Sequence, residues 1–82
     1  MTVLITGNAG FIGFNLSRRI LEEGIPIVGL DNLNSYYDPK LKKARLEELY
    51  HISKKTGTNF NFIEGDLKNN SQIIEIFKKF NP

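Results

Sequence analysis

The sequence predicts an α/β fold in which three parallel strands, in the order 3-2-1, carry helices on both faces. Three short apolar runs alternate with three longer segments of helical periodicity along the 82 residues. Crossovers between such strands are right-handed in nearly all known proteins and leave the strands parallel. The alternation fills the chain, so we expect one structural unit and no second domain.

The first strand and the first helix lie on either side of a glycine-rich segment. Residues 3–6 form a short β-branched run, which is typical of a buried strand. Ile12, Leu16 and Ile20 then recur at helical spacing, and Gly24 stops the pattern. We therefore expect an amphipathic helix with these three residues on its apolar face.

A second apolar run occupies residues 26–31. It begins with Pro26, which is tolerated at the start or the edge of a strand, and it ends on Asp31. Residues 32–38 are polar and turn-like, and Pro39 suits the first turn of a helix. This pattern predicts a second strand, parallel to the first, and a loop that leads into a second helix.

Two helices and one strand complete the chain. The second helix is predicted over residues 40 to about 55, with Gly57 as its stop. The third strand covers residues 60–64, whose mixed pattern fits a position near a sheet edge. The third helix follows Asn70 and Ser71, which are both good N-cap residues. The residues expected on or near the apolar faces of these two helices are Leu41, Ala44, Leu46, Leu49, Tyr50, Ile52, Ile73, Ile76, Phe77 and Phe80.

The segment between the first strand and the first helix contains three glycines with separate functions. Gly7 allows a tight turn off the strand, Gly10 lets a pyrophosphate approach the backbone, and Gly13 lets the helix pack closely against the sheet. The helix that begins near Phe11 presents backbone N–H groups and its positive end to phosphates. The spacing is G-x-x-G-x-x-G, which alone is also compatible with a purely structural turn.

Asp31 makes dinucleotide binding the better interpretation of this loop. It stands eighteen residues after Gly13, near the offset expected of a ribose-binding acid. A carboxylate there accepts hydrogen bonds from the ribose hydroxyls and repels a 2′-phosphate, which favours NAD over NADP. The loop and Asp31 together predict the first half of a Rossmann fold. Asp66, after the third strand, is open to two readings: an adenine contact, or an aspartate that caps a turn or helix.

Composition argues against several other classes of protein. Apolar residues make up 40% and charged residues 24%, and no apolar run approaches the length of a membrane span. The net charge of +2 comes from scattered basic residues interrupted by acids, so nucleic-acid binding is not expected. There is no cysteine, so we predict neither a disulfide nor a metal site. The first residues do not resemble a targeting signal, which makes the cytoplasm the expected location.

The chain resembles the extended short-chain dehydrogenase/reductase family. Within that family it is most similar to NAD-dependent nucleotide-sugar epimerases, and above all to the UDP-glucuronate 4-epimerases. The resemblance covers all 82 positions, and its most specific parts are residues 10–16 (GFIGFNL), 30–39 (LDNLNSYYDP) and 41–46 (LKKARL). Dehydratases and UDP-galactose epimerases are less similar in these segments.

The resemblance implies which residues contact the cofactor. In the family the glycine loop, with the backbone at Phe11 and Ile12, holds the pyrophosphate, and the counterpart of Asp31 holds the ribose. Asp66 and Leu67 match adenine contacts, which favours the first reading of Asp66. The implied cofactor-binding set is Gly7, Gly10, Phe11, Ile12, Gly13, Asp31, Asn32, Asn34, Ser35, Asp66 and Leu67, of which Asn32, Asn34 and Ser35 line the adenosine end.

The resemblance also implies a reaction that this chain does not perform alone. Family members use NAD to take a hydride from C4 of a nucleotide sugar and return it to the opposite face. The tyrosine base and the lysine four residues after it lie far beyond position 82 in relatives. We therefore expect residues 1–82 to be an N-terminal NAD-binding half-domain without catalytic residues. Tyr36 with Lys40 and Tyr50 with Lys54 repeat that spacing, but they lie on the adenosine side, and His51 is expected to be an ordinary helix residue.

Two alternatives and one further expectation remain. The chain could be the NAD-binding portion of a nucleotide-sugar dehydratase or reductase, or a folded fragment with no measurable ligand binding. Relatives continue into a fourth strand, so here the first strand is expected to be an exposed edge. We expect the chain to self-associate through that edge. The expected partners are NAD and, in the full-length parent, a nucleotide sugar, but neither nucleic acid nor a membrane.

Overall fold

A computed structural model describes residues 1–32 and 39–82 of the chain. Its elements alternate along the sequence, as predicted. Their bounds are β1 Val3–Thr6, α1 Phe11–Glu22, β2 Ile27–Asp31, α2 Pro39–Thr56, β3 Phe60–Glu64 and α3 Asn70–Phe80. The strands form one sheet in the order β1-β2-β3, which is the predicted order 3-2-1 read from the other edge. The predicted α/β class is therefore confirmed.

The three strands are parallel, and their register brings their carboxyl ends to one edge of the sheet. Thr6 pairs with Leu30, and Asp31 pairs with Glu64. The hydrogen bonding continues past the strand ends, because the Gly7 N–H donates to the Leu30 carbonyl at 2.7 Å. The Gly65 N–H donates in the same way to the Asp31 carbonyl at 3.1 Å. The glycine loop, Asp31 and the segment after β3 therefore lie next to one another.

The sheet is covered on both faces. Helices α1 and α2 pack on one face, around Ile5, Ala9, Leu21, Ile27, Leu46, Leu49, Ile52 and Phe60. Helix α3 covers the other face, where Ile76 packs with Val28 and Leu30 of the central strand. Because β2 presents Ile27 to one side and Val28 to the other, it is buried on both faces, as its continuous apolar sequence predicts.

The apolar face predicted for α1 is wrong at Ile12 and Leu16, whereas Ile20 packs against the core as predicted. Ile12 is 80% exposed and Leu16 is 50% exposed, whereas Ser17 and Leu21 are fully buried. The reason is the packing of Gly13 against the glycine loop, since residues four and eight positions later then face the sheet. Ser17 is accommodated there because its hydroxyl donates to the Gly13 carbonyl at 2.7 Å.

The predicted apolar faces of the other two helices are correct at Leu46, Leu49, Ile52 and Ile76, which are buried, but they are wrong at several flanking residues. In α2, Leu41 and Tyr50 are exposed by 46% and 44%, while Lys42 is buried. The exposed residues of these helices that were expected on apolar faces are Leu41, Ala44, Tyr50 and Phe77. The N-cap of α3 is Asn69, whose side chain accepts a hydrogen bond from the Gln72 N–H, and not Asn70 or Ser71. An N-cap one residue earlier provides this bond to the third helical residue.

Two predictions about the chain remain outside these observations. Asn34 and Ser35, which the family resemblance places at the adenosine end, lie outside the described residues. Within residues 1–32 and 39–82, no helix combines the length and the apolar character that crossing a membrane requires. The cytoplasmic location stays a prediction.

Candidate functional site

The glycine loop between β1 and α1 depends on close backbone contacts. Gly7 adopts a φ of +65°, a conformation that side chains rarely tolerate, and its carbonyl accepts a hydrogen bond from the Gly10 N–H at 3.0 Å. A Cβ on Gly13 would overlap the Gly7 carbonyl oxygen, and a Cβ on Gly10 would lie 3.3 Å from the same atom. The three predicted glycines therefore meet at one carbonyl group, which closes the loop tightly against α1.

Helix α1 opens directly onto this loop. Its N-cap is Gly10, which is in an extended conformation and whose carbonyl accepts the Phe14 N–H at 2.8 Å. Because Gly10 has no side chain, no side-chain hydrogen bond caps the helix. The first turn of α1 contains no acidic residue. The positive end of the helix dipole and the N–H groups of the first turn are thus not compensated by a carboxylate of this helix. An anionic group next to Phe11 would be stabilised by both.

Asp31 binds the glycine loop as well as facing the cavity beside it. Its side chain is 3% exposed; Oδ2 accepts the Ala9 N–H at 3.0 Å, and Oδ1 accepts from Lys42 Nζ at 3.0 Å. The sequence did not reveal either bond. Since Asp31 ends β2 and Lys42 lies in α2, this buried ion pair fixes α2 and the loop to the strand end.

Arg45 provides a second connection from α2 to the loop. Its guanidinium donates to the Ala9 carbonyl at 3.0 Å, and its Cζ lies 6.0 Å from the centre of the Phe14 ring. The Ala9 residue is therefore held at its N–H by Asp31 and at its carbonyl by Arg45. Lys42 and Arg45 are three residues apart, so they project from the same side of α2. This spacing of two cations, and their place in the family-like segment 41–46, are the signals in the sequence that could have indicated them.

A cavity of about 350 Å³ lies where the strand ends meet. The residues that line it are Thr6, Gly7, Gly10, Leu30, Asp31, Asn32, Lys42, Gly65, Asp66 and Leu67. A second cavity, of about 520 Å³, continues past the loop along α1 and is lined in part by Phe11, Ile12 and Gly13. Every predicted cofactor contact within the described residues thus lines one of two adjoining cavities.

Asp66 combines the two readings that its spacing left open. Its Oδ1 accepts the Lys68 N–H at 3.0 Å, and its carbonyl accepts the Asn69 N–H at 2.9 Å, so it stabilises the turn that leads into α3. It also lines the cavity at the strand ends, together with Leu67, which is 60% exposed. The capping function is therefore observed, and the position is compatible with an adenine contact.

Tyr50 and Lys54 lie away from this site. The Tyr50 ring contacts Phe60 edge to face, with 4.8 Å between the ring centres. Phe60 is the first residue of β3, so this contact lies at the amino end of the sheet, opposite the cavity. His51 is exposed on the same helix. Tyr36 lies outside the described residues, so the pair that it would form with Lys40 is not described.

The fold and the strand-end site together define a dinucleotide-binding unit of the short-chain dehydrogenase/reductase type. The glycine loop, the uncompensated start of α1 and the acid at the end of the central strand are its distinguishing features. The family model described as GDP-mannose 4,6 dehydratase matches residues 4–82, and the chain belongs to that family.

Individual relatives confirm the resemblance to nucleotide-sugar epimerases. The UDP-glucuronate 4-epimerase of Thermodesulfobacterium geofontis is 42% identical over 77 residues, which is 94% of this chain and 22% of the relative. UDP-glucuronate 4-epimerase 4 of Arabidopsis thaliana is 40% identical over 78 residues, covering 95% of this chain and 16% of the relative.

A solved structure of another nucleotide-sugar epimerase is also similar to this chain. The UDP-glucose-4-epimerase of Stenotrophomonas maltophila, with bound NAD and formylated UDP-arabinopyranose, is similar with a TM-score of 0.72 and 25% sequence identity. The similarity covers 99% of this chain and 22% of that one. The chain therefore spans about a fifth of the length of the relatives it matches.

Proposed function

We propose that residues 1–82 are the NAD-binding half-domain of a nucleotide-sugar 4-epimerase of the type that interconverts UDP-glucuronate and UDP-galacturonate. The observation that carries the proposal is the cavity at the strand ends, where the glycine loop, Asp31 and Asp66 lie together. The relatives named as UDP-glucuronate 4-epimerases support the choice of sugar nucleotide.

The close packing of the glycine loop supports a pyrophosphate site. A Cβ on Gly13 would occupy the space that the Gly7 carbonyl fills, so only glycine allows α1 to start this close to β1. In our proposal, the backbone at Gly10, Phe11 and Ile12 donates to the phosphates, and the start of α1 stabilises their charge. The loop is held in this shape before any ligand arrives, which limits the ordering cost of binding.

The adenosine end of the cofactor is assigned to the other two strand ends. Asp31 accepts hydrogen bonds from the ribose hydroxyls, Asn32 lines this end, and Asp66 and Leu67 contact adenine. The family resemblance assigns Asn34 and Ser35 to the same end, but they lie outside the described residues. NAD supplies a hydride acceptor and donor when it is bound. We assign no residue of this chain to the chemistry at the sugar, because the family resemblance implies that the tyrosine and lysine lie beyond position 82.

Calorimetry with NAD and with ADP tests the proposal. We expect both ligands to bind the wild-type chain, and we expect Asp31→Asn to weaken both by about tenfold or more, because a charge-assisted hydrogen bond contributes about 1.5–3 kcal/mol. Glu75→Gln neutralises one exposed acid of α3 and controls for the change in net charge. Thermal unfolding of Asp31→Asn controls for the loss of its buried ion pair with Lys42. Absence of binding to the wild-type chain at millimolar NAD would leave a folded unit without ligand affinity.

A second candidate function is supported by the family model, whose description names a dehydratase. The NAD-binding portion of a nucleotide-sugar dehydratase would share the loop and the ribose acid. Assays of the full-length parent decide between the two: an epimerase converts UDP-glucuronate to its C4 epimer without loss of water, whereas a dehydratase releases water and accumulates a keto sugar.

We also propose that the 82-residue chain on its own self-associates through β1. Within the described residues β1 lies at the edge of the sheet, and Phe11, Ile12 and Leu16 expose apolar surface on α1, which follows it. Unpaired edges next to apolar surface favour pairing with a second copy. Light scattering across a concentration series is expected to show dimers, and Leu16→Lys is expected to shift the chain toward monomer. A wild-type chain that is monomeric at high concentration would contradict this.

A further inference from the structure

We propose that Lys42 determines how strongly this site discriminates against a ribose that carries a 2′-phosphate. Lys42 neutralises Asp31, so the charge that would reject NADP is largely compensated inside the protein. This inference rests on the proposed function, because it concerns the adenosine end of the same dinucleotide site.

The ion pair is buried and lies in the wall of the cavity. The Nζ atom of Lys42 is 3.0 Å from Oδ1 of Asp31, and the two side chains are 8% and 3% exposed. Both residues line the cavity at the strand ends. Water screens a pair this deeply buried much less than a surface pair. The wall of the cavity therefore contains a carboxylate and an ammonium side by side, and not an isolated negative charge.

The contact of Asp31 with the glycine loop does not change this balance of charge. Its Oδ2 accepts the Ala9 N–H, a neutral donor that orients the carboxylate without neutralising it. Lys42 carries three N–H donors, and the bond to Asp31 uses one of them. A phosphate group placed beside the ribose would thus encounter a cationic donor as well as the acid, which reduces its repulsion.

The other charged groups near the site do not replace Lys42. Arg45 lines the neighbouring cavity and is bonded to the Ala9 carbonyl. Lys43 is exposed on the outer side of α2. Asp66 lines the same cavity after β3, and its Oδ1 accepts the Lys68 N–H. Among the described residues that line this cavity, Lys42 is the cation.

The test compares two pairs of ligands that differ only by the 2′-phosphate. Dissociation constants are measured by calorimetry for NAD against NADP, and for adenosine 5′-monophosphate against adenosine 2′,5′-bisphosphate. For the wild-type chain we expect NADP to bind within about tenfold of NAD. In Lys42→Met the charge of Asp31 is no longer compensated. The ratio of the NADP dissociation constant to the NAD dissociation constant is therefore expected to rise by a further factor of about ten or more.

Matched variants separate charge from folding. Lys43→Met removes a cation from the same helix outside the cavity and is expected to leave the ratio unchanged. The double variant Asp31→Asn with Lys42→Met removes both charges and is expected to return the ratio to within about threefold of the wild type. If Lys42→Met does not fold, Lys42→Gln takes its place and is compared with the double variant. Thermal unfolding checks that both variants are folded, and their dissociation constants provide the same comparison of charge states.

The outcomes are distinct. Two results would overturn the inference and leave NAD binding intact. One is a wild-type dissociation constant for NADP more than about a hundred times that for NAD, and the other is a ratio of these constants that Lys42→Met and Lys42→Gln do not change. A wild-type chain that binds neither dinucleotide would overturn the proposed function, and the inference with it. A ratio that widens in the Lys42 variants, but not in Lys43→Met, would support the assignment.

Discussion

Gly13→Ala is expected to lower the free energy of unfolding by about 3 kcal/mol or more, which is a large part of the stability of a small domain. The added Cβ overlaps the Gly7 carbonyl oxygen and also meets the Gly7 carbonyl carbon at 2.7 Å. These are backbone atoms that cannot rotate away as a side chain could. The Gly7 carbonyl also accepts the Gly10 N–H, so moving it would disturb the loop.

Urea unfolding followed by circular dichroism measures this effect, with Gly24→Ala as the control. Gly24 has a φ of +81° but no atom within 4 Å of an added Cβ, so only backbone strain of about 1 kcal/mol is expected there. If Gly13→Ala is no more destabilising than Gly24→Ala, the close contact between α1 and the loop is not a feature of the folded protein.

Gly29→Ala is expected to lower the free energy of unfolding by about 1–3 kcal/mol, because the centre of β2 is packed against a buried side chain. A Cβ on Gly29 would lie 2.5 Å from the amide carbon and nitrogen of Asn8. Asn8 is fully buried, so its amide has little room to move. Among residues 1–32 and 39–82 its Nδ2 and Oδ1 have no hydrogen-bond partner, which marks it as a costly group in this position.

A double-mutant cycle isolates this contact. Asn8→Ala alone is expected to be neutral or stabilising, because it removes a buried amide that has no hydrogen-bond partner in the described part of the chain. Combined with Gly29→Ala, it is expected to restore most of the lost stability. Asn61→Ala, on the exposed side of β3, is the control and should not rescue Gly29→Ala. Additive effects of Asn8→Ala and Gly29→Ala in urea unfolding would contradict the contact.

The strands and the glycine loop could be predicted because local sequence determines them. Residues 3–6 and 60–64 were predicted as strands and form β1 and β3, and Asp31 was placed at the end of the central strand. Parallel pairing then requires the carboxyl ends of the strands to share one edge. The meeting of the loop, Asp31 and Asp66 at one cavity follows from that edge, and the structure shows it.

The helix orientations could not be predicted in the same way. Apolar periodicity placed Leu41 and Ala44 inward, but the inward side of α2 includes Lys42, whose burial depends on an ion pair eleven residues away in sequence. A prediction based on hydrophobicity assigns a lysine to the solvent face. The predicted apolar face of α2 therefore included Leu41 and left out Lys42. The contacts of Asp31 with α2 were therefore missed.

The side chains around Ala9 were missed for a related reason. Arg45 reaches the loop across 36 residues of sequence, and Asn8 is buried among residues of other elements. Asn8 occupies a variable position of the G-x-x-G-x-x-G spacing, and Arg45 lies in residues 41–46, to which the family resemblance assigned no contact. Tertiary packing determines which groups these two side chains contact, so local sequence did not indicate those contacts.

The most direct test of the central claim is a titration of the isotopically labelled chain with NAD, followed by amide chemical shifts in NMR spectra. We predict saturable shifts at Gly10, Phe11, Ile12 and Asp31, and amides near the end of α3, such as that of Lys79, that stay in place. Saturable shifts confined to other surfaces, or no shifts at millimolar NAD, would contradict the assignment of this strand-end cavity as the dinucleotide site.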